Sequence, residues 1–342
     1  MTDAGEAAVA AAVGAASTVV PVGGRTQWDV GGAPPAGTEV RAPAGIVAYD
    51  PAELTVTAGA GTSVAALDEA LAEHGQECPL DPRDPRATLG GVLAVGTSGH
   101  RRLRFGPLRD RVLEVRFATA DGRLVRGGGP TVKNVTGYDL PRLLVGSFGT
   151  LGVLTRVILR CQPRPACARW YDGGGDPDAA RAACLAPSTI AWGPDGTRVL
   201  LEGHADDVDA QAAAADLVPA AGPPPWPTGP HRGRISVAPG RVGEVGAALD
   251  ALGGVAWLAE WGVGTVHIAA ATTAGLASAR RVAGTADGWL LREAGAPDLD
   301  GFGVDLPAAD VMGRVKAAFD PTGKLAPGRL PIPVPAAARR AS

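Results

Sequence analysis

The chain has 342 residues, 46% of them hydrophobic and 20% charged, which is enough apolar material for more than one core and too much for a disordered polymer. Thirty-two basic against 35 acidic residues leave a formal charge of −3, so a general nucleic-acid binder is excluded.

In chain order, Ala7 to Ala16 reads as a small helix and Thr18-Val-Val-Pro-Val22 as a short buried strand ending at Gly23-Gly24. Leu54 to Thr57 is a second strand. Val64, Leu67 and Leu71 then recur at helical spacing behind Thr62 or Ser63 as a cap, and Gly75 closes that helix. Arg111 to Ala120 alternates as a half-buried strand, with Asp121-Gly122 as a hairpin turn and Leu124-Val125 as the returning strand. A turn and strand follow over Gly149 to Leu159. At Cys161-Gln-Pro-Arg-Pro165 two prolines stiffen the chain, and a domain boundary is expected there. Beyond it, helical stretches (Ala179 to Cys184, Val208 to Leu217, Val242 to Leu252) alternate with strands at Arg198–Glu202, Arg234–Val237 and Thr265–Ile268. This is the texture of an α+β module with an antiparallel sheet. Gly222 to Pro230 is a long loop, and Ala308 to Phe319 is the last helix. The expected division is 1–163, a cap at 164–304, a returning segment at 305–330, and a disordered tail at 331–342.

Four cysteines occur (Cys78, Cys161, Cys167, Cys184) without a C-x-x-C pair, so neither a zinc ribbon nor an iron–sulfur cluster is expected within the chain. The N-terminus lacks the basic region of a signal peptide, and no apolar run reaches the ~20 residues of a membrane span. The expectation is a cytoplasmic protein, with contact to the inner membrane made only through partners.

Four glycine-rich stretches crowd the first half: Pro21-Val-Gly-Gly-Arg-Thr-Gln27, Gly59-Ala-Gly-Thr-Ser63, Ala87 to Gly99, and Val145 to Val153, the last preceded by Lys133 to Asp139. Without a Cβ, consecutive backbone N–H groups can converge on an anion. The second stretch imitates a dinucleotide fingerprint with Asp81 about 20 residues on. Val64 stands where the third glycine is needed, however, and the prolines of Cys78 to Pro85 forbid the strand that would carry the acid, so this loop reads as a decoy. The third stretch reads as a close-packing loop for a flat ligand, with Arg101, Arg102 and Arg104 beside it.

The succession P-V-G-G-R-T, T-L-G-G-V-L-A, S-G-H-R-R-L-R-F-G-P-L-R-D-R-V-L, V-K-N-V-T-G-Y-D-L and G-S-F-G-T-L-G-V-L-T resembles the FAD-binding domain of the vanillyl-alcohol oxidase / p-cresol methylhydroxylase (PCMH-type) flavoproteins, and within them the FAD-binding subunits of bacterial glycolate oxidases. The resemblance covers residues 17–163 and returns at Ala317 to Arg329. It implies a two-lobed α+β FAD-binding domain with an α+β cap over the isoalloxazine. Carried over by position, Gly23, Gly24, Arg25 and Thr26 hold the pyrophosphate. Pro79, Thr88, Gly90, Gly91, Ser98, Gly99, Arg102 and Gly106 follow the ribityl chain and ring, and Gly149 and Val153 meet the other end. Arg25 stands where covalent members place a histidine, which implies non-covalent FAD. Related dehydrogenases carry an H-x-G-x-G-N-x-H cap motif that gathers a metal. Here Glu260-Trp-Gly-Val-Gly-Thr-Val-His267 keeps the glycines and the last histidine, so no metal is expected.

His267 is the expected acceptor of a hydroxyl proton, Arg329 a carboxylate clamp, and Tyr138, with Asp139, a flank of the flavin. Trp257 and Trp261 are candidates for a cap pocket. The resemblance implies an FAD-dependent oxidoreductase that passes hydride from a small 2-hydroxy acid such as glycolate to flavin N5, with an iron–sulfur subunit taking the electrons. Three alternatives stay open: a non-catalytic FAD-holding relay or scaffold beside a catalytic flavoprotein paralogue, a free-standing flavin dehydrogenase of another alcohol, and an NAD-dependent enzyme.

Overall fold

The computed structural model describes residues 2–32, 36–130 and 138–332. The expected tail lies outside them from residue 333 onward, as does Lys133.

A helix (Thr2–Ala15) packs Val9, Ala10 and Val13 against the parallel pair Val19–Pro21 and Thr38–Val40. A five-stranded antiparallel sheet follows, ordered Ile46–Asp50, Thr55–Gly59, Val153–Arg160, Val112–Ala118, Leu124–Gly128. Its central strand alternates buried and half-buried residues from Thr155 to Arg160, as period-two patterning requires. The helix Val64–Ala72 starts at Ser63, whose hydroxyl accepts from the Ala66 N–H, and drives Val64, Leu67 and Leu71 into the core beneath that sheet.

The stretch from Ala87 to Gly99 departs from its reading as a loop. Leu89–Val95 is a helix whose N-cap Thr88 accepts from Gly91 N–H and whose C-cap Gly96 is left-handed (φ 71°). Leu89, Val92 and Leu93 are fully buried, and that spacing overrides the low helix propensity of Gly90 and Gly91.

The first sheet ends at Arg160 and the next begins at Cys167. The second has eight strands, ordered Val218–Pro219, Cys167–Asp172, Gly196–Gly203, Thr189–Gly193, Val255–Glu260, Thr265–Ala270, His231–Ser236, Trp289–Ala294, all paired antiparallel. The helices Val242–Leu252 and Thr273–Thr285 cover one face through Leu249, Leu276 and Ala279 against Ile235, Val266 and Ile268. The alternate residues Arg232, Arg234, Glu260 and His267 therefore face the other way, toward the first lobe. Trp257 belongs to the helix-covered core and Trp261 packs against Trp192, and neither lines the two clefts described below.

The last helix, Ala309–Phe319, returns to the first lobe. Buried Lys316 donates to Thr150 O (2.7 Å), Leu325 O (2.9 Å) and Asp320 Oδ2 (2.6 Å), and Leu325 bridges to Val19.

Candidate functional site: two joined clefts

Three glycine-bearing loops and the short helix at Leu89 converge on one cleft of about 880 Å³. Gly23, Gly24, Arg25, Thr26, Thr88, Gly90, Gly91, Gly149, Val153 and Arg329 all line it. The loops lean on each other closely. A Cβ on Gly23 would meet Thr88 Oγ1 at 2.1 Å, and one on Gly24 would meet the Arg86 carbonyl at 2.5 Å. Among the described residues, the backbone N–H groups of Gly23, Gly24, Arg25 and Thr26 donate to no protein acceptor. Four unspent donors in a row, with Arg25 held left-handed (φ 57°), form a nest for an anion, and strain of this kind collects at binding sites. The residues present therefore fit the diphosphate of a dinucleotide. Arg25 itself pairs with Glu39 and lies over Trp28, so the backbone rather than its guanidinium offers the free donors.

Ala60 and Gly61, on the loop read as a decoy, also line this cleft, together with Trp28, Ser147 and Phe148. The missing third glycine excludes one fold, not a role in another. Arg329 lies over Trp28 at 5.6 Å, but donates to Val30 O (3.1 Å) and Gly32 O (2.8 Å). It ties the loop down rather than waiting as a clamp.

A second cleft of about 1060 Å³ shares Thr26 and Gln27 with the first. Its walls carry Asp81, Arg83, Asp84, Ser98, Trp226, Arg232 and Glu293. Gln27 Oε1 and Ser98 Oγ are buried there without a hydrogen-bond partner among the described residues. Behind the wall lies His267, 1% exposed. Its Nε2 faces Glu260 Oε1 at 2.9 Å and its Nδ1 meets the Arg83 guanidinium. Arginine can only donate, so Nδ1 accepts and Nε2–H donates to Glu260. Burial, then the charges of Arg83 and Arg234, push the His267 pKa well below its ordinary value and keep the ring neutral. Burial likewise raises Glu260 to about 8, against the pull of Arg102, Arg234 and Arg83. Trp226 stacks on His100 at 3.9 Å, meets the His267 ring edge-on at 4.6 Å, and carries the Arg83 guanidinium 4.5 Å from its centroid.

The other expected residues lie apart. Pro79 is buried, Gly99 packs against Asp81, Gly106 ends a short helix beside Asp110, and Arg102 is half-buried; none lines either cleft. Tyr138 is 91% exposed and lines neither cleft; Asp139 after it caps the helix Leu140–Leu144. Arg83 and Trp226 belong to no motif of the sequence. Their signal lay in the proline-rich runs around them, since prolines that forbid a strand also hold a loop in a fixed extended path.

Residues 2–128 match the family model described as FAD binding domain. With the nest in the first cleft, that match decides the matter.

Residues 2–128 are an FAD-binding domain.

The chain is 47% identical over 129 residues to the glycolate oxidase subunit GlcE of Escherichia coli, covering 37% of each chain. It is 43% identical over 106 residues to a D-lactate dehydrogenase of Archaeoglobus fulgidus, covering 31% of this chain and 24% of that one. These matches span about a third or less of the curated relatives' length. The whole chain is also similar in fold to an alkyldihydroxyacetonephosphate synthase (TM-score 0.67, 14% identity, 93% of this chain and 74% of that one). Sequence similarity thus covers part of the chain, while the likeness that extends over 93% of it is one of fold.

Proposed function

We propose that the chain is the FAD-holding subunit of an oxidoreductase complex acting on a small 2-hydroxy acid. The observation that carries the reading is the junction at Thr26 and Gln27. It joins a backbone anion nest, suited to a dinucleotide diphosphate, to a cleft walled by arginine, suited to a carboxylate. Similarity to the glycolate oxidase subunit and the D-lactate dehydrogenase supports it. FAD is held without a covalent bond on this reading, since Arg25 follows the paired glycines where covalent members place a histidine. Bound there, it supplies a two-electron acceptor for the hydride of the substrate α-carbon. Partner subunits, one of them an iron–sulfur protein, take the electrons onward.

Arg83 is the residue that meets the substrate carboxylate. As it swings from His267 to that carboxylate, Nδ1 is released with its lone pair free, and neutral His267 accepts the hydroxyl proton while Nε2–H stays on Glu260. A second reading, a relay subunit without its own chemistry, is favoured by the engagement of both ring nitrogens of His267.

Anaerobic addition of glycolate or D-lactate to the FAD-loaded chain separates the two. Bleaching of the flavin bands supports the catalytic reading. Bands that persist, but bleach once a partner subunit is added, support the relay.

A further inference from the structure

The cap face that looks into the second cleft holds more positive charge than the protein neutralises. Strand alternation over His231–Ser236 places Arg232 and Arg234 on that face, while Gly233 and Ile235 are buried. Arg83 lines the cleft from the first lobe, and Arg102, outside its lining, adds its charge beside Glu260 and Arg234. Among the described residues, Arg102, Arg232 and Arg234 form no ion pair and no side-chain hydrogen bond, and the Nε of Arg232 and of Arg234 is buried without a partner.

The nearby carboxylates are largely spent elsewhere. Asp81 is taken by Arg101 (2.7 Å) and Asp84 by Arg86 (2.6 Å). That leaves Glu260, and Glu293, which sits at a bulge in the strand beside Arg232 and pairs with Arg83 at 3.3 Å. Four guanidinium groups face Glu293 and Glu260, and burial favours the neutral form of Glu260, so at least two positive charges are left over. A half-buried charge is held at a cost unless something pairs with it. One carboxylate, such as that of glycolate, answers only one of the two.

We propose that the second cleft is a site for a small organic dicarboxylate, held by Arg83 at one end and Arg232 at the other. On the reading under Proposed function, on which the substrate assignment rests, the substrate is then a 2-hydroxy acid bearing a second carboxylate. Arg83 on the first lobe and Arg232 on the cap both line the second cleft, so a dianion that reaches from one to the other answers both lobes at once. The open volume of about 1060 Å³ has room for it.

Calorimetric titration of the FAD-loaded full chain with glutarate, succinate, acetate and inorganic phosphate tests the site. None of these is oxidised, so the readout is independent of turnover. The dicarboxylates are expected to bind at least about tenfold tighter than acetate, one further charge-assisted pair. Arg232→Met is expected to erase that preference, and Arg232→Lys to retain part of it. If Arg232→Met fails to fold, Arg234→Met reads the same charge excess, and the wild-type ratio stands as a test by itself. Equal affinity for acetate and glutarate, phosphate binding as tight as glutarate, or a preference unchanged in Arg232→Met would overturn the proposal. Anaerobic flavin reduction by 2-hydroxyglutarate and malate, beside glycolate, is read in parallel. Bleaching by glycolate without dicarboxylate binding sinks this inference and leaves the oxidoreductase reading. Dicarboxylate binding with no bleaching by any hydroxy acid, with or without partner subunits, does the reverse.

Discussion

The two clefts meet at Thr26 and Gln27 but are made of opposite materials. The first is lined mainly by glycines and small apolar side chains, and its free donors belong to the backbone. The second is walled by ionisable side chains from three distant segments: 81–84, 226–232 and Glu293. Backbone donors cannot be lost to a substitution unless the loop itself moves, so such a site tolerates change around it and almost none within its glycines. A site of side chains can be retuned residue by residue. One lobe is thus suited to a fixed ligand and the other to a ligand that varies among relatives.

The sharpest way to break this contrast is to compare a satisfied cation with an unsatisfied one. All three Lys316 contacts that pin the last helix beneath the first cleft are filled, and Asp320 beside it is fully buried. Lys316→Met leaves that carboxylate without its cation and is expected to cost about 3–5 kcal/mol in denaturant titration. Arg232→Met removes a guanidinium with no partner, and the same titration is expected to find the protein unchanged or stabilised. Equal losses in the two variants would mean that Arg232 is paired after all.

Next in size is the nest. Gly24→Ala drives a Cβ into the Arg86 carbonyl, an atom that cannot step aside, and FAD affinity is expected to fall at least about tenfold, or ~1.4 kcal/mol. Binding of glutarate should fall much less, as measured by calorimetry on each variant. A comparable loss of both would show that the clefts are one mechanical unit.

The pH dependence of the cap comes third. The Glu260 carboxyl has its pKa raised from 4.5 to about 8, so the folded state favours the protonated form and stability from this group declines as pH rises across that range. His267 is depressed from 6.5, and its contribution runs the other way, being complete above pH 6.5 and lost on acidification. Together they predict a net decline of about 1–2 kcal/mol between pH 6.5 and 8, which Glu260→Gln should flatten. A wild-type melting temperature constant over that window would contradict the burial assigned to Glu260. The smallest expected effect is Ser63→Ala, which removes a helix cap behind the first cleft and should cost about 1 kcal/mol by thermal unfolding.

The same contrast explains what could be read in the chain before its fold was known. Gly23, Gly24, Thr88, Gly149 and Val153 announce themselves because a nest and its supporting turns are local, encoded in runs of a few residues. Gly90 and Gly91 were placed at the cleft but read as loop, since the helix they start depends on Leu89, Val92 and Leu93 finding a buried face. The second cleft is nearly silent in sequence. Arg83, Trp226, Arg232, Glu260 and Glu293 are separated by up to 210 positions. Only the register of Arg234 against His267, and the face opposite the covering helices, brings them together. His267 was singled out as a base from its place in a motif, yet the hydrogen bonds that fix its tautomer come from Glu260 and Arg83. Tyr138 lies exposed for a related reason: a flanking role depends on the path of the chain around it, which no local motif encodes.

The most direct test of the central claim is a titration of the purified full chain with FAD, followed by the visible absorption of protein separated from free flavin. Flavin that coelutes with the wild type at about one equivalent, and is lost from Gly24→Ala while the fold is kept, is the predicted result. A wild-type chain that retains no flavin, or a Gly24→Ala chain that retains it equally well, would contradict the placement of FAD in the first cleft.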